Sequence, residues 1–214
     1  MNGAEKPSRG IIMTGESVRA ILAGRKTQMR RPMKVQAIPD TTGQWSFCVS
    51  STERKDQDKW AYRVVDPSGN HYTERGRERE VVSLKSPYAV GDLLYVKETW
   101  GQSGLNRVEY KAHPADGTDF RCVDRWRYPI YLPCKFARIH LEVTGVRAEG
   151  LQTITEGDAI AEGVADTCTL VSLETGELVA KGHRGGYANI WGQIHGVGSW
   201  AQNPWVFVYT FRRV

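Results

Sequence analysis

The chain lacks most of the features that would announce a function outright. It has four cysteines in 214 residues, Cys48, Cys122, Cys134 and Cys168, and no C-x-x-C pair among them. That scatter signals neither a thiolate zinc site nor a redox pair, and predicts packing residues in a reducing compartment. His113, His140, His183 and His195 lack metal-ligand spacing, and Gly185-Gly186 and Gly196-x-Gly198 form no G-x-G-x-x-G turn between strand and helix. No metal, cofactor or dinucleotide is expected. No apolar run approaches the roughly 20 residues of a membrane-spanning helix, and residues 1–10 hold no apolar signal core, so the expectation is a cytoplasmic protein without membrane contact. Internal repeats and low-complexity linkers are missing too, which together with the length favours a single domain over residues 1–214.

What is present describes a folded, mildly basic and aromatic-rich protein. Hydrophobic residues make up 40% of the chain and charged ones 25%, well away from disordered composition. Lys and Arg number 29 against 24 Asp and Glu, a moderate excess that favours polyanionic partners. Seven Trp and nine Tyr, interleaved with that charge, could stack on bases or fill a β-rich core.

Local patterns give the elements. Thr14, Glu16 and the apolar positions Val18, Ala20, Ile21 and Leu22, closed by Gly24, predict a short capped helix over 16–23. The densest basic stretch follows. Arg25, Lys26, Arg30, Arg31 and Lys34 fall within ten positions, and Pro32 argues for a loop entering a strand. Residues 36–87, with strand-like runs at 45–49 and 60–65, a turn at 66–70 and a charge-balanced hairpin tip near 74–80, read as an insertion. Strands are predicted at 93–100, 108–112, 128–132, 137–146 and 205–211, the last apolar on both faces and so central. Thr155-Glu156-Gly157-Asp158 has capping-box spacing before a helix that ends at Gly163, placing Glu162 in its last turn. Residues 166–186 read as a polar hairpin or variable loop, and 187–195 can be helical. The fold class expected is α+β, a small mixed barrel with two or three short helices.

Four ordered motifs carry a resemblance: Gly24-Arg25-Lys26-Thr27-Gln28-Met29-Arg30-Arg31, Gly91-Asp92 through Lys97-Glu98-Thr99-Trp100, Asp158-Ala159-Ile160-Ala161-Glu162-Gly163, and Asn203-Pro204-Trp205-Val206. Together they resemble the ASCH (activating signal cointegrator homology) family, most closely its phage and prophage members sometimes labelled morphogenetic. The resemblance implies a PUA-like β-barrel, a fold shared with domains that bind RNA or modified nucleobases. It also implies two activities known among relatives, amide hydrolysis of acetylated cytidine and RNA cleavage. In the amidohydrolase branch a lysine, a threonine nucleophile and a glutamate act together. These fall on Lys26, Met29 and Glu162, so the nucleophile is replaced by a thioether and Thr27 is the nearest hydroxyl.

The leading expectation is binding of single-stranded RNA or DNA, or of a modified nucleoside, in the barrel cleft. Arg25, Lys26, Arg30 and Arg31 would contact phosphates, with Glu98, Trp100 and Glu162 toward the base. Strand alternation would split the basic residues between two faces. Glu98 could equally pair with Lys97 or Arg138, Trp100 could fill the core, and Lys26 with Glu162 could be a structural ion pair. The rival expectation is a hydrolase of acylated nucleosides or a ribonuclease, with Lys26, Glu162 and Thr27 as its polar core. A role as a phage assembly accessory is a third.

Overall fold

The computed structural model describes residues 8–33, 86–103, 107–112, 123–165 and 181–214 with their side chains, and the backbone alone of 47–48, 59–64, 73–74, 77–78, 81–85, 170–171 and 178–180. In chain order the elements are β1 (Arg9–Ile12), α1 (Gly15–Leu22), β2 (Gln28–Pro32), β3 (Phe47–Cys48), β4 (Lys59–Val64), β5 (Thr73–Glu74), β6 (Arg77–Glu78) and β7 (Val81–Lys85). They continue with β8 (Leu93–Lys97), β9 (Trp100–Ser103), β10 (Val108–Tyr110), β11 (Val123–Arg127), β12 (His140–Gly150), α2 (Glu156–Ala161), β13 (Leu170–Val171), β14 (Leu178–Ala180), α3 (Gly182–His195) and β15 (Trp205–Arg213). The class is α+β, and among the described residues no helix is long and apolar enough to cross a membrane.

The main sheet has the order β1-β8-β12-β15-β2, with β1 parallel to β8 and every other pair antiparallel. Among the described residues β1 and β2 are not paired with each other, so the barrel expected from sequence is an open mixed sheet. β15 is central. Its Phe207, Tyr209 and Phe211 alternate with Val206 and Val208, and all five are buried. The first set packs with α1 and the inward residues of β1, β2, β8 and β12. The second packs with α2, α3 and Trp200. A second sheet, β10-β9-β11, follows β8.

Helix signals in the sequence translate directly. Thr14 caps α1 by accepting from Ser17 N at 3.2 Å, and Thr155 with Asp158 closes a reciprocal capping box on α2. Three expectations are corrected. Residues 128–132 are no strand: Pro129 starts a single 3-10 turn, Pro129–Tyr131, and the strand precedes it as β11. α3 begins at Gly182, well before 187, because its first turn is capped from another helix. Glu156 of α2 accepts from His183 N at 2.9 Å and Arg184 N at 3.3 Å. A side chain at Gly182 would meet that carboxylate at 2.9 Å, and its φ of +69° suits glycine alone. Cys134 is an exposed free thiol on a turn after Pro133 rather than a packing residue. The charged stretch 51–58, the turn at 66–70 and the cysteines Cys122 and Cys168 lie outside the described residues.

Candidate functional site

The end of α1 sets the site. Ala23 N and Gly24 N close on Arg19 O and Ile21 O, and Gly24 takes a φ of +72° that turns the chain back on the helix. Arg25 N and Lys26 N both donate to Ala20 O. Lys26 then forms an isolated antiparallel bridge with Glu162, extended by Thr27 N donating to Ala161 O at 2.8 Å. Gly163 stops α2 at this point. A Cβ there would sit 2.8 Å from the Ala20 Cβ and 3.0 Å from the Lys26 Cβ, so the close approach of the two segments requires glycine.

On this backbone three cations and three acids interlock. Lys26 Nζ donates to Glu162 Oε2 and to the Glu162 carbonyl, each at 2.7 Å. Arg30 donates to Glu162 Oε1 at 3.1 Å and to Glu149 Oε1 at 2.8 Å, and lies 3.3 Å from Asp158 Oδ2. Arg147 donates to Glu149 Oε2 and Asp158 Oδ1, both at 2.9 Å. Lys26, Arg30 and Glu162 are only 7%, 5% and 7% exposed. Burial alone would raise the Asp158 carboxyl; hydrogen bonds from Thr155 and Gln28 and the Arg30 charge outweigh it and hold the group below the ordinary aspartate value. Both Glu162 oxygens are therefore occupied by cations.

This network forms part of the wall of a cleft of about 1100 Å³. The cleft takes Ile12 from the end of β1 and Met29, Arg30 and Arg31 from β2, so it lies where the two edges of the sheet face each other. Arg31 spans the two edges by donating to Ile12 O at 2.8 Å. The register pairs Arg30 with Val208 and Met29 with Tyr209, which turns Arg30 toward α2 and α3 and Met29 into the α1 core. Exposed Arg19, Arg25 and Arg31 also line the cleft. Its far wall is α3. There the Trp191 and His195 rings are 4.0 Å apart, and the Arg30 guanidinium sits 5.9 Å from the Tyr187 ring centre. Burial, and then repulsion from Arg31, lowers the His195 pKa, which favours a neutral imidazole. Burial first, and the Glu162 charge second, push the Tyr187 phenol well above its ordinary value, so it stays protonated. Trp191 Nε1 and Arg30 Nε are buried donors without a hydrogen-bond partner among the described residues.

The expected site residues separate into groups. Lys26 and Glu162 are brought together, and Arg25, Arg30 and Arg31 join them at the cleft. Arg30, however, is committed to three carboxylates and buried, so its place is within the wall rather than on a phosphate. Thr27 is exposed and does not line the cleft, because its N–H and carbonyl are fixed by Ala161 and Phe211 on either side. Met29, which does line it, carries no hydroxyl. Glu98 and Trp100 do not line it either, although Thr99 between them, in the link from β8 to β9, does. Glu98 is 1% exposed and gripped by Arg138 through two 2.8 Å hydrogen bonds. Trp100 is buried against Phe136 under Arg127.

Sequence reasoning missed Arg19, Arg147, Glu149 and the α3 residues Tyr187, Trp191 and His195. Only the α3 set carried a signal, the spacing of Tyr187, Trp191 and His195 along one helix face. Among the described residues no group of three His, Cys, Asp or Glu side chains could hold a metal ion. Compared with known proteins, the chain matches no family model, no curated protein and no solved structure.

Proposed function

We propose that the chain binds a nucleotide, most naturally as part of single-stranded RNA or DNA, in the cleft between the β1 and β2 edges, as a PUA-like relative whose barrel stays open there. The observation that carries this reading is the composition of the cleft: three exposed arginines, Arg19, Arg25 and Arg31, around a pocket whose far wall holds the rings of Tyr187, Trp191 and His195. Guanidinium forks suit phosphate oxygens, and an open strand edge offers N–H and C=O groups of the kind that read base edges. The volume, near 1100 Å³, lies at the upper end of small-molecule pockets and accommodates a nucleoside with its phosphate. Lys26 and Glu162 form the charged wall beneath it.

Fluorescence anisotropy with a labelled 12-nucleotide single strand tests this. Three phosphate contacts give a slope of about −2 in log affinity against log salt, so affinity should fall roughly 20-fold between 50 and 200 mM. The double variant Arg25→Glu/Arg31→Glu should weaken binding and flatten that slope. Affinity indifferent to salt and to both reversals overturns the reading.

The Lys26–Glu162 contact on the cleft wall favours a second reading, hydrolysis of an acylated nucleoside such as acetylated cytidine, or of RNA. With Met29 in the nucleophile position, water would have to attack: Glu162 takes its proton, Lys26 polarises the acyl C=O of acetylated cytidine or a phosphoryl oxygen of RNA, and the C–N or P–O bond breaks as the departing amine or alkoxide takes up that proton. Chromatography of acetylated cytidine and of RNA after incubation decides it. Product that disappears in Lys26→Ala supports hydrolysis, and no turnover of either substrate eliminates it.

A further inference from the structure

Away from the network, the turn at residues 128–131 presents the most exposed large rings among the described residues. Tyr128 is 76% and Tyr131 68% exposed, with Ile130 between them at 58%. Exposed aromatics held on a rigid support are unusual, because burying such rings is strongly favourable. This support is rigid. Pro129 opens the 3-10 turn, Pro133 follows it, Leu132 N donates to Pro129 O, and the Leu132 side chain is fully buried as an anchor. Neither tyrosine stacks on another ring among the described residues.

Charge and position narrow the occupant. Lys97 Nζ donates to Ile130 O at 3.0 Å and so sits against the turn. Arg125, Arg127 and Lys135 flank it and are exposed, with Asp124 the one acid between 123 and 136. The turn is continuous with the cleft, since Pro129 and Thr99 both line it. Four cations, Lys97, Arg125, Arg127 and Lys135, against the single acid Asp124 make the surroundings of the rings complementary to a polyanion, and rings set among cations match a chain of stackable bases and phosphates.

We infer that a single-stranded nucleic acid seated in the cleft continues over this turn, its next bases stacking on Tyr128 and Tyr131 while Lys97, Arg125 and Lys135 meet its phosphates. The inference rests on the nucleic-acid reading of the cleft and extends it from one nucleotide to a strand.

The test compares a labelled tetranucleotide with a labelled 15-mer, on wild type, Tyr128→Ala/Tyr131→Ala and Arg25→Glu/Arg31→Glu. Both tyrosines are exposed, and an unchanged melting temperature verifies that the variant is folded. Each lost stack should weaken binding roughly 5- to 150-fold. The tyrosine variant, missing two stacks, should therefore lose roughly 25-fold or more on the 15-mer and little on the tetranucleotide, while the arginine variant loses both. Ultraviolet crosslinking of a 5-bromouridine 15-mer should label the peptide carrying residues 128–131. If the arginine variant loses 15-mer binding and the tyrosine variant does not, the stacking turn is overturned and the cleft reading stands. If only the tyrosine variant loses it, the cleft reading fails. If wild type binds neither oligonucleotide, both fail. Tyrosine substitutions that change sedimentation but leave 15-mer affinity unaltered assign the turn to protein contact and overturn the inference.

Discussion

Replacing Glu162 by glutamine puts the buried network to a quantitative test. Glu162 answers two buried cations at once, Lys26 at 2.7 Å and Arg30 at 3.1 Å. An amide has one acceptor oxygen and one N–H₂ donor group, so in Glu162→Gln one of the two cations must face a donor. Removing one partner from a buried ion pair typically costs about 3–5 kcal/mol. For a domain of this size each kcal/mol lowers the melting temperature by about 2–4 °C, so the variant should melt roughly 6–20 °C below wild type. Buried pairs are weakly screened, and the loss should be nearly the same at 50 and 500 mM salt. Lys26→Met should cost less, because Glu162 keeps Arg30. The double variant Lys26→Met/Glu162→Gln should recover part of the loss, giving a coupling of about 0.5–3 kcal/mol in a double-mutant cycle. Differential scanning fluorimetry with urea titration measures all four proteins. A Glu162→Gln variant melting within 2 °C of wild type, or single-variant losses that simply add, would falsify the account of Glu162 as the shared counter-charge.

Asp158, whose folded pKa is depressed, contributes stability that is fully present above its unfolded value of about 3.9 and is lost as pH falls through the folded value. Urea midpoints measured from pH 6 to pH 2.5 should show an acid limb that is shallower in Asp158→Asn; an identical limb contradicts this. Tyr209 is raised to about 12, by burial first, while its hydroxyl meets Ser86 Oγ at 2.9 Å. Its neutral form therefore contributes stability that is present below pH 10 and is lost between pH 10 and 12, roughly 3 kcal/mol at most. Tyr209→Phe should flatten that alkaline limb in circular dichroism titrations, and an unchanged limb would count against it. Gly182→Ala forces a left-handed backbone and crowds Glu156, so it should cost about 1–2 kcal/mol or more. Glu156→Gln should be milder, because the amide oxygen still caps one N–H; equal losses in thermal melts would refute the capping account.

The parts of this fold legible in sequence are those written in neighbouring positions. Thr14 and the Thr155–Asp158 pair announce α1 and α2 because a cap is a contact between residues three apart. β15 announces its central place because both of its faces are apolar. α3 hides its start, since its cap comes from Glu156, 27 positions earlier, and its glycines argue against helix. The 128–132 stretch, β-prone in composition, is bent into a turn by Pro129. At the site, the meeting of Lys26 with Glu162 joins positions 136 apart, and no local pattern encodes it. Alternation sends Arg30 and Arg31 to opposite faces, as a strand must. That Glu98 belongs to Arg138, and that Glu149 and Arg147 complete the charge network, depends on strand pairings between distant segments, which no local pattern encodes.

The place of β2 in the sheet also shapes how the protein is made. Its one strand neighbour among the described residues is β15, which leaves the ribosome roughly 170 residues later. At about 5–20 residues per second, the nascent chain waits on the order of 10–30 s with that strand unclaimed. Until then the cationic segment can meet cellular polyanions before its counter-charges are in place. A stalled or shortened product lacking positions 205–213 would forfeit the strand that joins β2 to β12, and with it the anchor that holds Met29, Arg30 and Arg31 at the cleft.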